Sequence, residues 1–191
     1  MPARIQQLER ADLDDRQTRI HDAIVETRGD INGPFRVWLN SPEFADRAQK
    51  LGELVRYHTK LDTRLTELVI LATAREVRSQ YEWSAHEPAG ERAGLEPEII
   101  DLVRRRADLA TVGEVPGLGD RERTIIDFVR EVVTEEKVTS ATFSRARDLF
   151  GEQGVMELAG LVGYYGFINI TLKTFDVQLA PGRERLLPDL W

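Results

Sequence analysis

The most apolar helical pattern in the chain lies in the stretch from Leu65 to His86. Its first part places apolar side chains at spacings of three and four residues: Leu65, Leu68, Val69, Leu71 and Ala72. Such spacing is typical of one face of an α-helix, and a run this apolar predicts a buried one. Glu67 is the one early carboxylate in that run. A buried carboxylate needs a partner or a raised pKa, so Glu67 is a candidate functional residue.

The remaining apolar positions repeat with the same helical period. They predict helices at 12–28, at 41–57, from 61 through the central stretch, around 97–103, and at 120–133, 139–150 and 155–175. Asp12 and Thr139 are expected as N-caps, and Ser41-Pro42 as a cap followed by a first helical residue. No segment alternates with period two for long enough to form a strand. The chain is therefore predicted to be all-α and a single domain.

Breaks between the helices are marked by glycine and proline. Gly29, Gly94 and Gly151 are expected to end helices. Pro88 closely follows His86 and predicts a kink or a restart there. Residues 107–119 form a linker between two halves of the domain.

Residues 33–42 are expected to form a loop with three large apolar groups, Phe35, Trp38 and Leu39. Leaving such groups in water forfeits the free energy gained by burial. The loop is predicted to anchor on the helical core, with a pocket wall or a subunit contact as the alternative.

Composition narrows the possible functions. The 191 residues contain no cysteine and carry a formal net charge of −7, which excludes thiol chemistry and argues against a nucleic-acid partner. The one basic cluster, at 104–106, is typical of the end of a helix. No apolar run reaches the length of a membrane helix and the N-terminus lacks a signal peptide's apolar region. A cytoplasmic protein without membrane contact is expected.

Glu82 and His86 form the densest cluster of proton-transferring groups. They are four residues apart, so on a helix they leave the same face, with Ser79 one turn earlier. The alternative is an ordinary solvated pair, and Glu67 could equally stabilise the first turn of its own helix. The three histidines have no metal-ligand spacing, so no metal site is predicted, although Glu67, Glu82 and His86 could in principle supply ligands.

Four segments together carry a resemblance to a known family. They are Glu67-Leu-Val-Ile-Leu-Ala-Thr-Ala-Arg75, Tyr81-Glu-Trp-Ser-Ala-His86, Ala93-Gly-Leu95 and Val162-Gly-Tyr-Tyr-Gly-Phe-Ile-Asn169. They resemble the carboxymuconolactone decarboxylase family, within the superfamily that includes the AhpD-like alkylhydroperoxidases. The resemblance implies an AhpD-like helical bundle that forms homo-oligomers, based on dimers or trimers. It also implies a site built on the residues singled out above.

The resemblance can be transferred position by position. The peroxidase branch has a Glu, then Cys-x-x-Cys, then a His four residues after the second Cys. In this chain the corresponding positions hold Glu67, Ser79, Glu82 and His86. Serine and glutamate cannot replace a redox-active thiol pair, so thiol-peroxidase activity is excluded. The decarboxylase branch is similar in needing acid–base groups and no metal or organic cofactor.

The resulting hypothesis is a cofactor-independent lyase, isomerase or hydrolase acting on a small organic acid or lactone. His86 would be the general acid or base, Glu82 would orient it or carry a second proton, and Glu67 would support or relay. The alternative is a non-catalytic helical oligomer that binds a small apolar ligand.

Residues expected to contact the substrate surround these three in the sequence or lie on the last helix. They are Ser79, Tyr81, Trp83, Arg75, Tyr165 and Asn169. Arg75 is the candidate partner for a substrate carboxylate, whereas the aromatic residues could equally pack in the core. The predicted organisation is an N-terminal arm and helix at 1–32, the family-like helical domain at 33–178 and a C-terminal tail at 179–191.

Overall fold

The computed structural model describes residues 3–179 and 182–188, and within them every regular element is a helix. After a 3₁₀ turn at Arg10–Asp12, the helices are α1 (Asp15–Arg28), α2 (Pro34–Trp38), α3 (Pro42–Tyr57), α4 (Thr63–Glu76), α5 (Gln80–Arg92), α6 (Pro97–Arg104), α7 (Asp120–Thr134) and α8 (Ser140–Phe175). The predicted all-α class is confirmed.

The helix ends follow the local chemistry of the sequence. Asp14, and not Asp12 as predicted, caps α1 by accepting hydrogen bonds from the backbone N–H groups of residues 16 and 17. At the other end Gly29 adopts φ +80°, a left-handed conformation that glycine tolerates without strain. Asp62 and Thr139 cap α4 and α8 in the same way. Short polar side chains therefore set where the main helices begin.

The segment 33–42 differs from the prediction, because it contains the short helix α2 instead of an irregular loop. Pro34 is its first residue, where the missing N–H costs nothing. Phe35, Trp38 and Leu39 are buried, with Leu39 fully enclosed. Trp38 stacks on Phe167 with ring centroids 5.0 Å apart, so the expected anchoring to the core is confirmed.

The central stretch is two helices instead of one. Helix α4 ends at Glu76, Arg78 turns the backbone with φ +59°, and Ser79 caps α5. Pro88 does not restart the helix, because α5 is continuous through it to Arg92. A proline deprives the carbonyl four residues earlier of its donor. That carbonyl, on Ser84, accepts a hydrogen bond from Arg183 Nη1 at 2.9 Å, which compensates for the loss.

Helix α4 forms the centre of the bundle and packs against α5, α6, α7 and α8. Helix α8 bends at Gly151, where a break was predicted. Among the described residues α8 alone is long and apolar enough to cross a membrane, but 56% of that apolar window is buried inside the bundle. Its apolar character is thus largely accounted for by the core. Helix α1 packs on α3 and buries Ile24 completely, so the N-terminal helix shares this core.

Candidate active site

A buried hydrogen bond between α4 and α5 defines the site. His86 Nδ1 lies 2.7 Å from Glu67 Oε2, and both residues are almost fully enclosed, with 6% and 3% of their surfaces exposed. Glu67 comes from the middle of the apolar helix and His86 from the adjacent helix, and the packing of α4 on α5 brings them together. The chain therefore holds the imidazole ring by a carboxylate at one nitrogen.

The other ring nitrogen faces two oxygen atoms. Tyr165 Oη lies 3.3 Å from His86 Nε2, and Glu82 Oε2 lies 3.5 Å from the same atom. The Tyr165 ring also packs edge-on against the imidazole at 5.2 Å. Because Glu82 is 5% exposed, the pair Glu82–His86 is not a solvated surface pair.

The two carboxyl groups have opposite pKa shifts. Burial favours a raised pKa for both. For Glu67, the hydrogen bond and charge of His86 and then those of Arg56 outweigh burial, so its pKa is lowered. For Glu82, burial dominates over the charges of His86, Arg56 and Arg28, so its pKa is raised. Burial likewise raises the pKa of Tyr165 well above its ordinary value.

These shifts fix the roles of the two ring nitrogens. An ionised Glu67 accepts hydrogen bonds only, so His86 Nδ1 carries the proton that joins them. In the neutral ring Nε2 then has a lone pair, which faces the protonated hydroxyl of Tyr165 and the carboxyl of Glu82. The arrangement is suited to moving a proton to or from a molecule placed at Nε2.

Arg56, at the end of α3, completes the charge balance. Its Nη2 donates to Glu67 Oε1 at 3.1 Å, so each Glu67 oxygen has its own donor. A buried carboxylate with two such partners is held in one orientation. Glu67 is therefore the nearer carboxyl partner of His86, at 2.7 Å against 3.5 Å for Glu82.

A cavity of about 210 Å³ is lined by His86 and by the two residues that face its Nε2, Glu82 and Tyr165. Its apolar lining consists of Pro34, Phe35, Ala85, Ala89 and Ile168, and its cationic lining of Arg28, Arg56, Arg92 and Arg183. Asp30, Asn32, Tyr81 and Tyr165 complete the walls. The cavity can thus present a small molecule to the imidazole.

A larger depression of about 590 Å³ lies elsewhere, between α7 and α8. Two of its charged residues, Arg145 and Asp127, form an ion pair at 2.8 Å. No histidine lines it. The smaller cavity, which combines a buried imidazole with oppositely shifted carboxyl groups, is the better candidate for catalysis.

Of the residues expected to contact a substrate, Tyr81 and Tyr165 line this cavity. Four others do not, because each serves the fold. Ser79 caps α5, and Trp83 is fully buried with its indole N–H donating to Glu87 at 2.6 Å. Arg75 donates to the carbonyl of Arg104 at 2.6 Å, and Asn169 donates to the carbonyl of Val77 at 3.3 Å.

Sequence reasoning missed the arginines of the cavity. Arg28 and Arg56 stand at the last turns of their helices, where a cation is favoured by the helix dipole and so attracts no attention. Arg183 comes from the segment that follows α8. Only the folded chain brings them together, and no spacing in the sequence indicates it.

The described residues include no group of three or more His, Cys, Asp or Glu side chains arranged to hold a metal ion. His86 contacts both Glu67 and Glu82, and Arg56 and Tyr165 bind to Glu67 and His86. A cation beside Glu67 would face the Arg56 guanidinium, which opposes its binding.

The family model described as the carboxymuconolactone decarboxylase family matches residues 42–131, from α3 into α7. This segment includes Glu67, Glu82 and His86. A comparison with curated protein sequences found no match.

Several solved structures share the fold. The debrominase Bmp8, in complex with 2,3,4-tribromopyrrole, aligns with a TM-score of 0.75 and 15% identity over 93% of this chain and 91% of its own. An AhpD-core, peroxidase-related protein from Ralstonia eutropha JMP134 aligns with a TM-score of 0.74 and 17% sequence identity. The alignment covers 94% of this chain and 93% of that protein's chain. The Agrobacterium tumefaciens protein ATU0492, described as a putative antioxidant defence protein AhpD, aligns with a TM-score of 0.65 and 18% sequence identity. The alignment covers 78% of this chain and 99% of that protein's chain. The resemblance to the carboxymuconolactone decarboxylase family is thereby confirmed, for a chain whose AhpD-like helical fold carries no cysteine.

Proposed function

We propose that this chain is a cofactor-independent acid–base enzyme of the decarboxylase-like kind, acting on a small organic acid or lactone. The observation that carries the proposal is the buried Glu67–His86 hydrogen bond, which leaves Nε2 facing a cavity. A positioned imidazole that exchanges a proton in this way contributes about 10²–10⁴-fold to a rate.

Each side chain has a distinct role in this proposal. His86 Nε2 accepts or returns the proton of the substrate, and Glu67 stabilises the imidazolium that forms. Glu82, whose pKa is raised by burial, is the more readily protonated of the two carboxyl groups and can pass a proton on. Tyr165 donates a hydrogen bond at Nε2 or to a substrate oxygen.

A decarboxylation would use these groups as follows. Cleavage of the bond between carbon and the carboxylate releases CO₂ and leaves the electron pair on carbon, where a neighbouring carbonyl stabilises it as an enolate. A proton from the carboxyl group of Glu82, or from His86 in its imidazolium form, is then added to that carbon. An isomerisation differs, because His86 Nε2 first removes a proton from one carbon and then returns it at another position.

Thiol chemistry is left out of the proposal because Glu82 and Ser79 occupy the two positions at which the peroxidase branch has cysteines. The debrominase neighbour is described in complex with a small ring compound, tribromopyrrole. Its fold supports a small cyclic ligand for this chain, whereas its identity is too low to transfer its reaction.

The test is turnover of γ-carboxymuconolactone and a panel of related lactones and β-keto acids, followed by substrate loss and CO₂ release. Wild type, His86→Ala and the matched control His58→Ala are compared, since the His58 side chain is 61% exposed and lies outside the cavity. We expect His86→Ala to lose about 100-fold or more of the activity and the control to keep it. Equal turnover by His86→Ala would remove His86 from the mechanism.

If the wild type turns over none of the compounds in the panel, the result favours the alternative, a helical oligomer that only binds a ligand. In that case affinity should depend on the apolar wall, for example on Phe35, more than on His86 or Glu82. The charged lining of the cavity favours the catalytic proposal over an apolar ligand.

A further inference from the structure

The cavity beside His86 has more cationic than anionic groups in its lining. The cationic residues are Arg28, Arg56, Arg92 and Arg183, and the acidic ones are Asp30 and Glu82. Even with both carboxyl groups ionised, the four guanidinium groups outnumber them. The cavity is therefore electropositive.

Arg28 differs from the other arginines whose contacts are known. Arg56 is bound to Glu67 and Arg183 to the carbonyl of Ser84. Arg56 Nε is also buried without a hydrogen-bond partner, but in Arg28 both Nε and Nη2 are buried and have none among the described residues. Burying a charged donor without an acceptor costs more than leaving a neutral one unpaired.

The position of the Arg28 guanidinium is nevertheless well defined by packing. Its central carbon lies 4.6 Å from the centroid of the Phe35 ring and 5.8 Å from that of Tyr57. Cation–π contacts of this kind hold the group in place without using its N–H donors. The chain thus holds a guanidinium in a cavity wall and leaves its hydrogen-bonding capacity unused.

We infer that the guanidinium of Arg28, which lines the cavity, binds the carboxylate of the molecule that His86 acts on. The inference rests on the proposed function only in placing that molecule beside His86. The planar guanidinium presents two donors at the spacing of two carboxylate oxygens. Arg28 lies in α1, outside the segment matched by the family model, and it replaces Arg75 as the substrate's cationic partner.

The volume limits the size of the ligand. About 210 Å³ is below the ~300–1,000 Å³ of sites that take drug-sized molecules. Phe35 and Ile168 offer apolar surface to the remainder of the ligand. The expected class is therefore a single small ring, or a chain of similar size, that carries one carboxylate.

The test compares carboxylates with neutral analogues of the same shape. Binding of benzoate and 2-furoate, and of benzamide and 2-furamide, is measured by titration calorimetry with wild type, Arg28→Gln and the control Arg19→Gln. Arg19 lies on the same helix but is exposed and does not line the cavity. We expect Arg28→Gln to bind the carboxylates about 10- to 100-fold more weakly, with the amides and the control unaffected.

Folding of the variant is not expected to interfere. Arg28→Gln removes an unpaired buried charge, so its melting temperature should equal or exceed that of the wild type in the absence of ligand. Arg28→Lys keeps the charge without the fork and should recover part of the affinity. Equal affinity for carboxylates and amides, unchanged carboxylate affinity in Arg28→Gln, or no carboxylate binding in the millimolar range would overturn the inference.

The same experiment separates this inference from the proposed function. Carboxylate binding by the Arg28 variants tests the role of Arg28, whereas turnover by His86→Ala tests the acid–base role. Turnover that persists in His86→Ala would refute the acid–base role and leave the carboxylate site intact. Loss of the carboxylate preference would refute the binding role of Arg28 and leave the acid–base role of His86 intact.

Discussion

Replacing Glu67 by glutamine removes the negative charge under His86 while keeping the shape of the side chain. The wild-type carboxylate accepts from His86 at 2.7 Å and from Arg56 at 3.1 Å, and its side chain is 4% exposed. Removing one member of a buried ion pair costs about 3–5 kcal/mol, and the amide oxygen recovers some of this. We expect a net loss of about 3 kcal/mol in the free energy of unfolding, which lowers Tm by roughly 6–12 °C in a chain of this size.

The functional loss should exceed what the lower stability explains. Without the charge, the imidazolium formed during proton transfer loses its ionic partner, so turnover below Tm should fall about 100-fold or more. Nitrogen-15 NMR of the imidazole provides a direct readout: the wild type should show the Nδ1–H tautomer, and Glu67→Gln a mixture. Glu87→Gln is the matched control, because Glu87 binds Trp83 and Arg104 but does not line the cavity.

The stability difference also has a defined pH dependence. Because the pKa of Glu67 is lowered in the folded state, its stabilising contribution is present above the pKa of an unfolded glutamate. This contribution is lost as the pH falls through the lowered pKa that Glu67 has in the folded state. Wild type and Glu67→Gln should therefore converge in Tm in acid. A variant with wild-type turnover, an unchanged tautomer or an equal Tm at neutral pH would refute this reasoning.

Three further predictions concern other parts of the molecule. Glu82 has a raised folded pKa, so its destabilising effect grows as the pH rises above the ordinary glutamate range; Glu82→Gln should melt above the wild type at pH 8, melt with it near pH 4, and turn over substrate more slowly. Arg75→Met should lower Tm without weakening carboxylate binding, since Arg75 holds the end of α6. Exposed apolar side chains on α3 and α8, including Leu54 at 52% and Met156 at 73%, favour a homo-oligomer; light scattering after size exclusion should show one, and Leu54→Glu should shift it toward the monomer.

Each of these has an outcome that contradicts it. Identical melting curves of Glu82→Gln and wild type at every pH would mean that Glu82 is not held protonated by burial. A loss of benzoate affinity in Arg75→Met would restore Arg75 to the binding site. A monomeric wild type would leave the exposed side chains of α3 and α8 without the proposed role.

The helices themselves could be predicted well from the sequence. Apolar periodicity located the main helices, and Gly29 and Thr139 marked ends because their conformational or capping preferences are local. The break at Arg78 could not be predicted, since a left-handed arginine has no sequence signal and follows from tertiary packing. The short helix α2 could not be predicted, because Pro34 and Pro42 in this segment are typical of irregular structure.

The candidate site could be predicted only in part. The spacing of four residues placed Glu82 near His86, but the closer partner, Glu67, is nineteen positions away on another helix. Its role followed only from the family resemblance. Arg28 and Arg56 could not be found at all, because their position in the cavity depends on how α1 and α3 pack. Local chemistry predicts elements, whereas the site is a property of their packing.

Proton exchange tests the acid–base role of His86 most directly, because it requires only that a ligand bind beside Nε2. The lactones and β-keto acids of the panel are incubated in D₂O with wild type or His86→Ala, and deuterium incorporation at the carbon next to the carbonyl is followed by NMR. We expect accelerated deuterium exchange with the wild type and only background exchange with His86→Ala. Equal acceleration by both proteins would contradict the assignment of His86 as the acid–base group.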